Sequence, residues 1–454
     1  MKSLIGDKKF YRMVLIVCIP IVIQNGFTNL ASLLDNIMIG QLGTLSMSGV
    51  SISNQLFQVF NVSVFGAMSG AGIFLAQFYG RGNRGGVHNC FRIKMLLGLL
   101  ISILAICIFK ILGPSLISLY LNDDPTDSMT TLNFGKQYMD VMLIGLIPFA
   151  ITQVFSSSLR ETGNTVLPMK ASVIAVIVNF CINYILIFGH FGFPKLGVIG
   201  AAIGTVVSRI VEMGINIAAG LNNNYLRDAM RLDKISGDIF KNVVKRGMPL
   251  LCNEILWSIS IALISQCYST RGLSAVAAIN VTTTVTNFFM IICYAMGNSI
   301  SIIVGQRLGA GEIEYAKDCD LKMVFMNFMM CLCIGVALFL CSSFIPQIYN
   351  TSIEVKSLAT SLLRVSACML PIISLYYSSY FTMRAGGKTL LTFFFDSGYT
   401  FMFTFMVALC LTRFTNLPIF NVYLLVQCVD IPKAVLGITL VKKGIWVHNI
   451  VNEL

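Results

Sequence analysis

Charge is what this sequence has least of. Asp, Glu, Lys and Arg make up 11% of its 454 residues, less than half the roughly 25% of a soluble domain, while 56% of the residues are hydrophobic. Those proportions exclude a soluble globule and leave a membrane protein. Histidine is nearly absent as well: His88, His190 and His448 are scattered, which fits neither a zinc motif nor a catalytic triad. Fourteen Cys are present without a CxxC pair, and Cys181, Cys331, Cys333 and Cys410 lie inside apolar runs, where thiols act as small hydrophobes. A nucleotide site is missing too. Gly386-Gly387-Lys388-Thr389 has Thr382 where a P-loop needs its first glycine, and no polar loop is long enough for the phosphate-binding domain of an ATP-driven pump. The basic start (Lys8, Lys9, Arg12) runs into apolar sequence without a small-residue cleavage site, so it reads as a retained first membrane helix rather than a signal peptide.

Long apolar runs are what the sequence does have. A bilayer core needs about 20 such residues per helix, and windows of that kind recur twelve times, near 13–38, 50–78, 93–120, 132–159, 168–189, 196–220, 246–270, 278–305, 322–349, 357–383, 390–411 and 418–441. Twelve crossings put both termini on one side. The loops and ends of that side hold 23 of the 32 basic residues, Lys94 and Arg384 among them, whereas the loop at 121–127 on the other side is acidic (Asp123, Asp124, Asp127). By the positive-inside rule both termini are expected in the cytoplasm, with the chain multi-pass in the plasma membrane (a bacterial inner membrane). The net charge of +12 is then a matter of topology and implies no nucleic-acid partner.

Internal repetition is the most informative pattern. An offset of 229 aligns Pro20 with Pro249, Gly43 with Gly272, Phe60 with Phe289, Gln77 with Gln306, Gly80 with Gly309, Gly82 with Gly311 and Cys90 with Cys319. After a five-residue slip, Arg160, Gly163, Thr165 and Leu167 match Arg384, Gly387, Thr389 and Leu391 at an offset of 224. The fold expected is all-α and polytopic, with twelve transmembrane helices in two parallel-repeat six-helix lobes around a central cleft, at 1–221 and 247–454. The polar stretch 222–246 joins them, either as a solvated linker or as an interfacial helix carrying Ile235, Ile239, Phe240, Val243 and Val244. Such duplicated bundles imply a secondary transporter with its site near the membrane midplane.

An isolated charge at the bilayer centre costs at least about 2.5–3.5 kcal/mol and tends to be kept for function. Asp35 lies fifteen residues beyond Pro20, about 22 Å along a helix, in the outer half of the membrane or at its edge. Asn179 and Asn183 share one helix face and Thr205 can complete an oxygen cluster; such a set suits sodium, a proton on the carboxyl, or plain interhelical hydrogen bonding. In the second half Glu254 falls opposite Asn25, and Ile264 opposite Asp35, so the halves carry their acids at different depths. Asp396 sits in an aromatic run where a carboxylate can hold an organic cation. Arg209 with Glu212, and Asp430 with Lys433, have the spacing of mutually neutralising pairs.

Several segments together resemble the multidrug and toxic compound extrusion (MATE) family over essentially the whole chain. They are Leu34-Asp35-Asn36-Ile37-Met38-Ile39-Gly40, Gln77-x-x-Gly80-x-Gly82-Asn83, Arg160-x-x-Gly163-Asn164-Thr165, Asn179-x-x-x-Asn183-x-Ile185-Leu186-Ile187-Phe188-Gly189, and Gly197-x-x-Gly200-Ala201-Ala202. The resemblance implies no enzyme. It implies an antiporter that uses a sodium or proton gradient to expel hydrophobic or cationic organic molecules, with Asp35, Asn179, Asn183 and Thr205 coupling the ion, and sodium held near the first three. Many members carry Asp where this chain has Asn183. Glu254, with Asp396, is expected in the substrate cavity, no cofactor beyond the coupling ion is expected, and a monomer is. A lipid-linked oligosaccharide flippase of the same broad superfamily is the alternative; extra helices and intramembrane basic residues would mark it. A membrane receptor or channel is the third reading.

Overall fold

The computed structural model describes residues 4–121, 125–231, 233–349 and 351–453, leaving Asp123 and Asp124 of the acidic loop outside them. Among the described residues twelve helices are long and apolar enough to cross a membrane: α1 Lys8–Gly40, α2 Thr44–Gly80, α3 Arg84–Ser118, α4 Thr126–Glu161, α5 Val166–Phe188, α6 Val198–Leu221, α7 Gly237–Ser269, α8 Leu273–Gly309, α9 Ile313–Cys341, α10 Ile353–Ala385, α11 Thr389–Phe414 and α12 Ile419–Lys442. No strand occurs among the described residues. In lipid only a helix satisfies every backbone group within its own segment.

Most helices start earlier than hydropathy indicates, because their first turns are polar. The side chain of Asn83 accepts from Gly86 N at 3.0 Å and starts α3 nine residues before the apolar run. Lys94 therefore lies inside a helix rather than in a loop: it is fully buried, with Nζ 2.5 Å from Glu161 Oε2. Arg384 is likewise only 6% exposed. The stretch 222–246 divides, with a short 3-10 turn at Asp228–Met230 and α7 beginning at Gly237. Arg92 holds the first part by donating to the carbonyl of Ala229 and pairing with Asp233. Pro20 and Pro249 sit well inside α1 and α7 rather than at their starts.

The repeat is written into the backbone. Six of the ten positive-φ glycines among the described residues fall in matched pairs, Gly43 with Gly272, Gly82 with Gly311 and Gly163 with Gly387. These positions close short turns that a side chain would strain.

Contacts divide the chain into two compact units. One comprises Ile23–Leu75 and Asn83–Val244. It is threaded by buried polar links, Lys94 to Ser157 and Glu161 among them. The other comprises Met1–Val22, Ala76–Gly82 and Lys245–Leu454. There Phe10, Val14, Val17, Cys18 and Ile21 of α1 pack with Met296 and Ile300 of α8, Met383 of α10 and Trp446. The segment after α12 is tied down in the same unit: Gln77 donates to the carbonyl of His448 and accepts from Ile450 N, and Arg81 donates to Val451 O at 2.7 Å.

Candidate functional site

In the first unit α1, α5 and α6 bring Asp35, Asn179, Asn183 and Thr205 together. Asn183 Nδ2 donates to Asp35 Oδ1 at 2.6 Å and to Asn179 Oδ1 at 3.3 Å, and Asn179 Nδ2 reaches Thr205 Oγ1 at 3.5 Å. The four-residue spacing of the asparagines puts both amides on one face of α5. Gly204 makes room, since a Cβ there would collide with Asn183 Oδ1. That oxygen is buried and has no hydrogen-bond donor. Among the described residues no three His, Cys, Asp or Glu side chains gather, so a cation beside Asp35 would meet one carboxylate with amide and hydroxyl oxygens.

Asp35 and Thr205 line a cavity of about 470 Å³ in this unit. Its walls are polar apart from Phe57 and Met142: α2 contributes Ser51, Asn54, Gln55, Gln58 and Asn61, α4 contributes Tyr138, and α6 contributes Arg209. Tyr138 Oη donates to Asn54 Oδ1 at 3.2 Å. A smaller cavity of about 320 Å³ shares Gln58 and Asn61 and adds Phe149 and Gln153. Arg209 does not pair with Glu212. Its guanidinium lies 4.9 Å over the Phe149 ring and donates to the Gly145 carbonyl, at the 3-10 turn Leu143–Gly145 that interrupts α4. Glu212 instead accepts from Ser172 at 2.5 Å, ending a buried chain in which Arg160 donates to Gln24 and Gln24 to Ser172.

The second unit contains a related network with different chemistry. Asn253 and Asp396 are the repeat partners of Gln24 and Ser172, and Asn253 Nδ2 donates to Asp396 Oδ2 at 3.1 Å as Gln24 does to Ser172. Lys433 lies 224 residues after Arg209, yet it points the other way. Its Nζ is 2.9 Å from Asp396 Oδ1, bonds Thr400 Oγ1 and sits 4.6 Å over the Tyr376 ring. Lys433 therefore pairs with Asp396, not with Asp430 as its spacing predicts. Both oxygens of Asp396 are engaged, so a cationic ligand would have to displace Lys433 to reach it. π-helical turns at Phe394–Gly398 and Thr400–Phe405 carry this part of α11, the kind of local underwinding common at functional positions. Glu254, next to Asn253, accepts from Tyr380 at 3.0 Å and lies within electrostatic reach of Arg384 and Asp396.

Sequence reasoning missed the amide stripe on α2 and the Gln24–Ser172–Glu212 chain. The stripe was visible as Asn54, Gln55, Gln58 and Asn61 at helical spacing within one apolar window. The chain was not, because its members lie on three different helices.

The fold around this site is shared with known proteins. The MatE family model matches twice, over residues 20–185 and 249–410, beginning at the paired prolines of the repeat. A probable multidrug resistance protein NorM of Thermotoga maritima is 26% identical over 377 residues, 82% of this chain and 79% of that protein. The multidrug resistance protein MdtK of Pectobacterium atrosepticum is 23% identical over 353 residues, 77% and 76% of the two chains. The fold matches an outward-facing multidrug resistance MATE family transporter of the MOP superfamily with a TM-score of 0.85 at 19% identity, over 97% of this chain and 96% of that one. It matches equally well a MOP superfamily transporter of Pyrococcus furiosus, for which a reversed polarity of the binding pocket is described as suggesting a different function (TM-score 0.84, 19% identity, 97% and 96%). The chain is thus a multi-pass membrane protein of the MatE family, a family of transporters and not of enzymes.

Proposed function

We propose that this protein is a cation-coupled antiporter that exports small organic molecules, with Asp35 as the group that alternately takes up and releases the coupling ion. The observation that carries the reading is the hydrogen-bonded cluster of Asp35, Asn183, Asn179 and Thr205 on the wall of a ligand-sized cavity. Relatives named for multidrug resistance support export of small organic compounds. Ion and substrate favour opposite conformations, so that binding of one promotes release of the other.

As Asn183 offers its amide nitrogen to Asp35, a proton on the carboxyl fits the arrangement without rearrangement, whereas sodium bridging Asp35 and Asn183 needs the amide turned over. That supports a proton as the coupling ion. Glu254 serves the second unit as a further acid of the transport pathway. The protein works as a monomer, and both termini face the cytoplasm, the side of Lys8, Lys9, Arg12, Arg81, Arg84, Arg227 and Arg231.

The test is reconstitution of the full chain in liposomes, with a panel of dyes and glycosides and an imposed proton or sodium gradient. Gradient-driven movement of at least one compound, faster with protons, is expected. Movement of none under either gradient overturns the antiporter reading.

A further inference from the structure

The walls of the cavity beside Asp35 are unlike what a hydrophobic cation needs. Along α2 a row of amides, Asn54, Gln55, Gln58 and Asn61, runs at helical spacing into the cavity, and Gln153 extends it into the adjoining space. An amide on a membrane helix is costly unless it is hydrogen-bonded. Within the row Asn61 Oδ1 is shut away from solvent without a donor among the described residues, while Gln55 and Gln58 stand exposed and Gln153 half-buried, with their amides open to a ligand in the cavity. Paired donors and acceptors at intervals of one turn suit hydroxyl groups, each of which both donates and accepts. Charge gives a net cation no advantage, because the same walls hold one carboxylate, Asp35, and one guanidinium, Arg209. Aromatic rings border the row at Phe57 and Tyr138 in the larger cavity and at Phe65 and Phe149 in the smaller one, Phe149 already stacked under Arg209.

Building on the antiporter reading, we propose that the cavity selects uncharged, polyhydroxylated molecules, glycosides in the broad sense, held through their hydroxyls by the amide row of α2, with any aromatic portion against Phe149. Its volume of about 470 Å³ is in the range of sites that enclose a drug-sized ligand. Hydrophobic monocations are then poor ligands, since they leave the amides without partners.

Two measurements on the full-length protein separate this inference from the antiporter reading. The first is equilibrium binding of 4-methylumbelliferyl glucoside and of ethidium to purified protein in detergent. Saturable glucoside binding tighter than ethidium binding is expected, weakened about tenfold by Gln58→Leu and by Asn61→Leu. Gln58→Asn keeps an amide and should retain most of the affinity. Thermal melting of each variant identifies any that fail to fold, and both leucines are apolar replacements on a membrane helix. Binding of ethidium but not of the glucoside, or glucoside binding indifferent to both leucine variants when they fold, overturns the proposal. The second measurement is gradient-driven movement of the glucoside in liposomes. Glucoside binding without such movement leaves the amide-row assignment standing and contradicts the antiporter; movement of ethidium alone contradicts the assignment and supports the antiporter.

Discussion

Gly80 and Gly309 face each other's helices reciprocally: a Cβ on Gly80 would strike the carbonyl of Gln306, and a Cβ on Gly309 would strike the carbonyl of Gln77. Both glycines and both glutamines are repeat partners, so one duplicated motif supplies both sides of a single contact between α2 and α8. A side chain at either position must push backbone apart, which costs about 1–3 kcal/mol. Gly80→Ala and Gly309→Ala should each lower the melting temperature in detergent, and the double variant should cost less than the sum because the two share one contact. Gly214→Ala is the control, with nothing within 4 Å of its added methyl.

The pair of Lys433 and Asp396 is nearly sealed from solvent, at 2% and 15% exposure. Removing one partner of a buried pair leaves the other uncompensated, at a cost of about 3–5 kcal/mol, while replacing both by apolar groups is often neutral. Lys433→Met should therefore destabilise the protein strongly in thermal or denaturant unfolding, and Asp396→Leu combined with Lys433→Met should recover most of the loss. Equal loss in the double variant would mean that the pair does more than balance charge.

How much of this was legible in the sequence depended on the range of the interaction. The membrane helices, the duplication and the meeting of Asp35 with Asn179, Asn183 and Thr205 follow from hydropathy, fixed offsets and one family motif, all of them nearly local. The partners of Arg209, Glu212 and Lys433 do not, although each has an opposite charge three residues away. In a membrane helix a side chain is drawn to whichever neighbouring helix carries an unsatisfied group, and that is a tertiary fact: Arg209 goes to the Gly145 carbonyl, Glu212 to Ser172 and Lys433 to Asp396. Lys94 was misread for a related reason. Helix α3 continues through its polar first turns, and a lysine at the apparent membrane edge is drawn inward to Glu161.

Asn183 is the position where a second carboxylate is lacking. Asn183→Asp would place one within reach of Asp35, giving sodium two anionic ligands in place of one. Transport by this variant should be stimulated by sodium where that of the wild type is not, as initial efflux rates at equal ionic strength with sodium or choline will read out. Identical rates in the two salts would remove sodium chemistry from this site.

The most direct test of the central claim is the initial rate of gradient-driven efflux from liposomes containing the Asp35→Asn variant, beside wild type at matched protein density. Asparagine keeps the size of the side chain and can still accept from Asn183, so the fold is expected to persist. The rate should fall to that of protein-free liposomes while substrate binding in detergent survives. Efflux at the wild-type rate would show that Asp35 does not couple the ion.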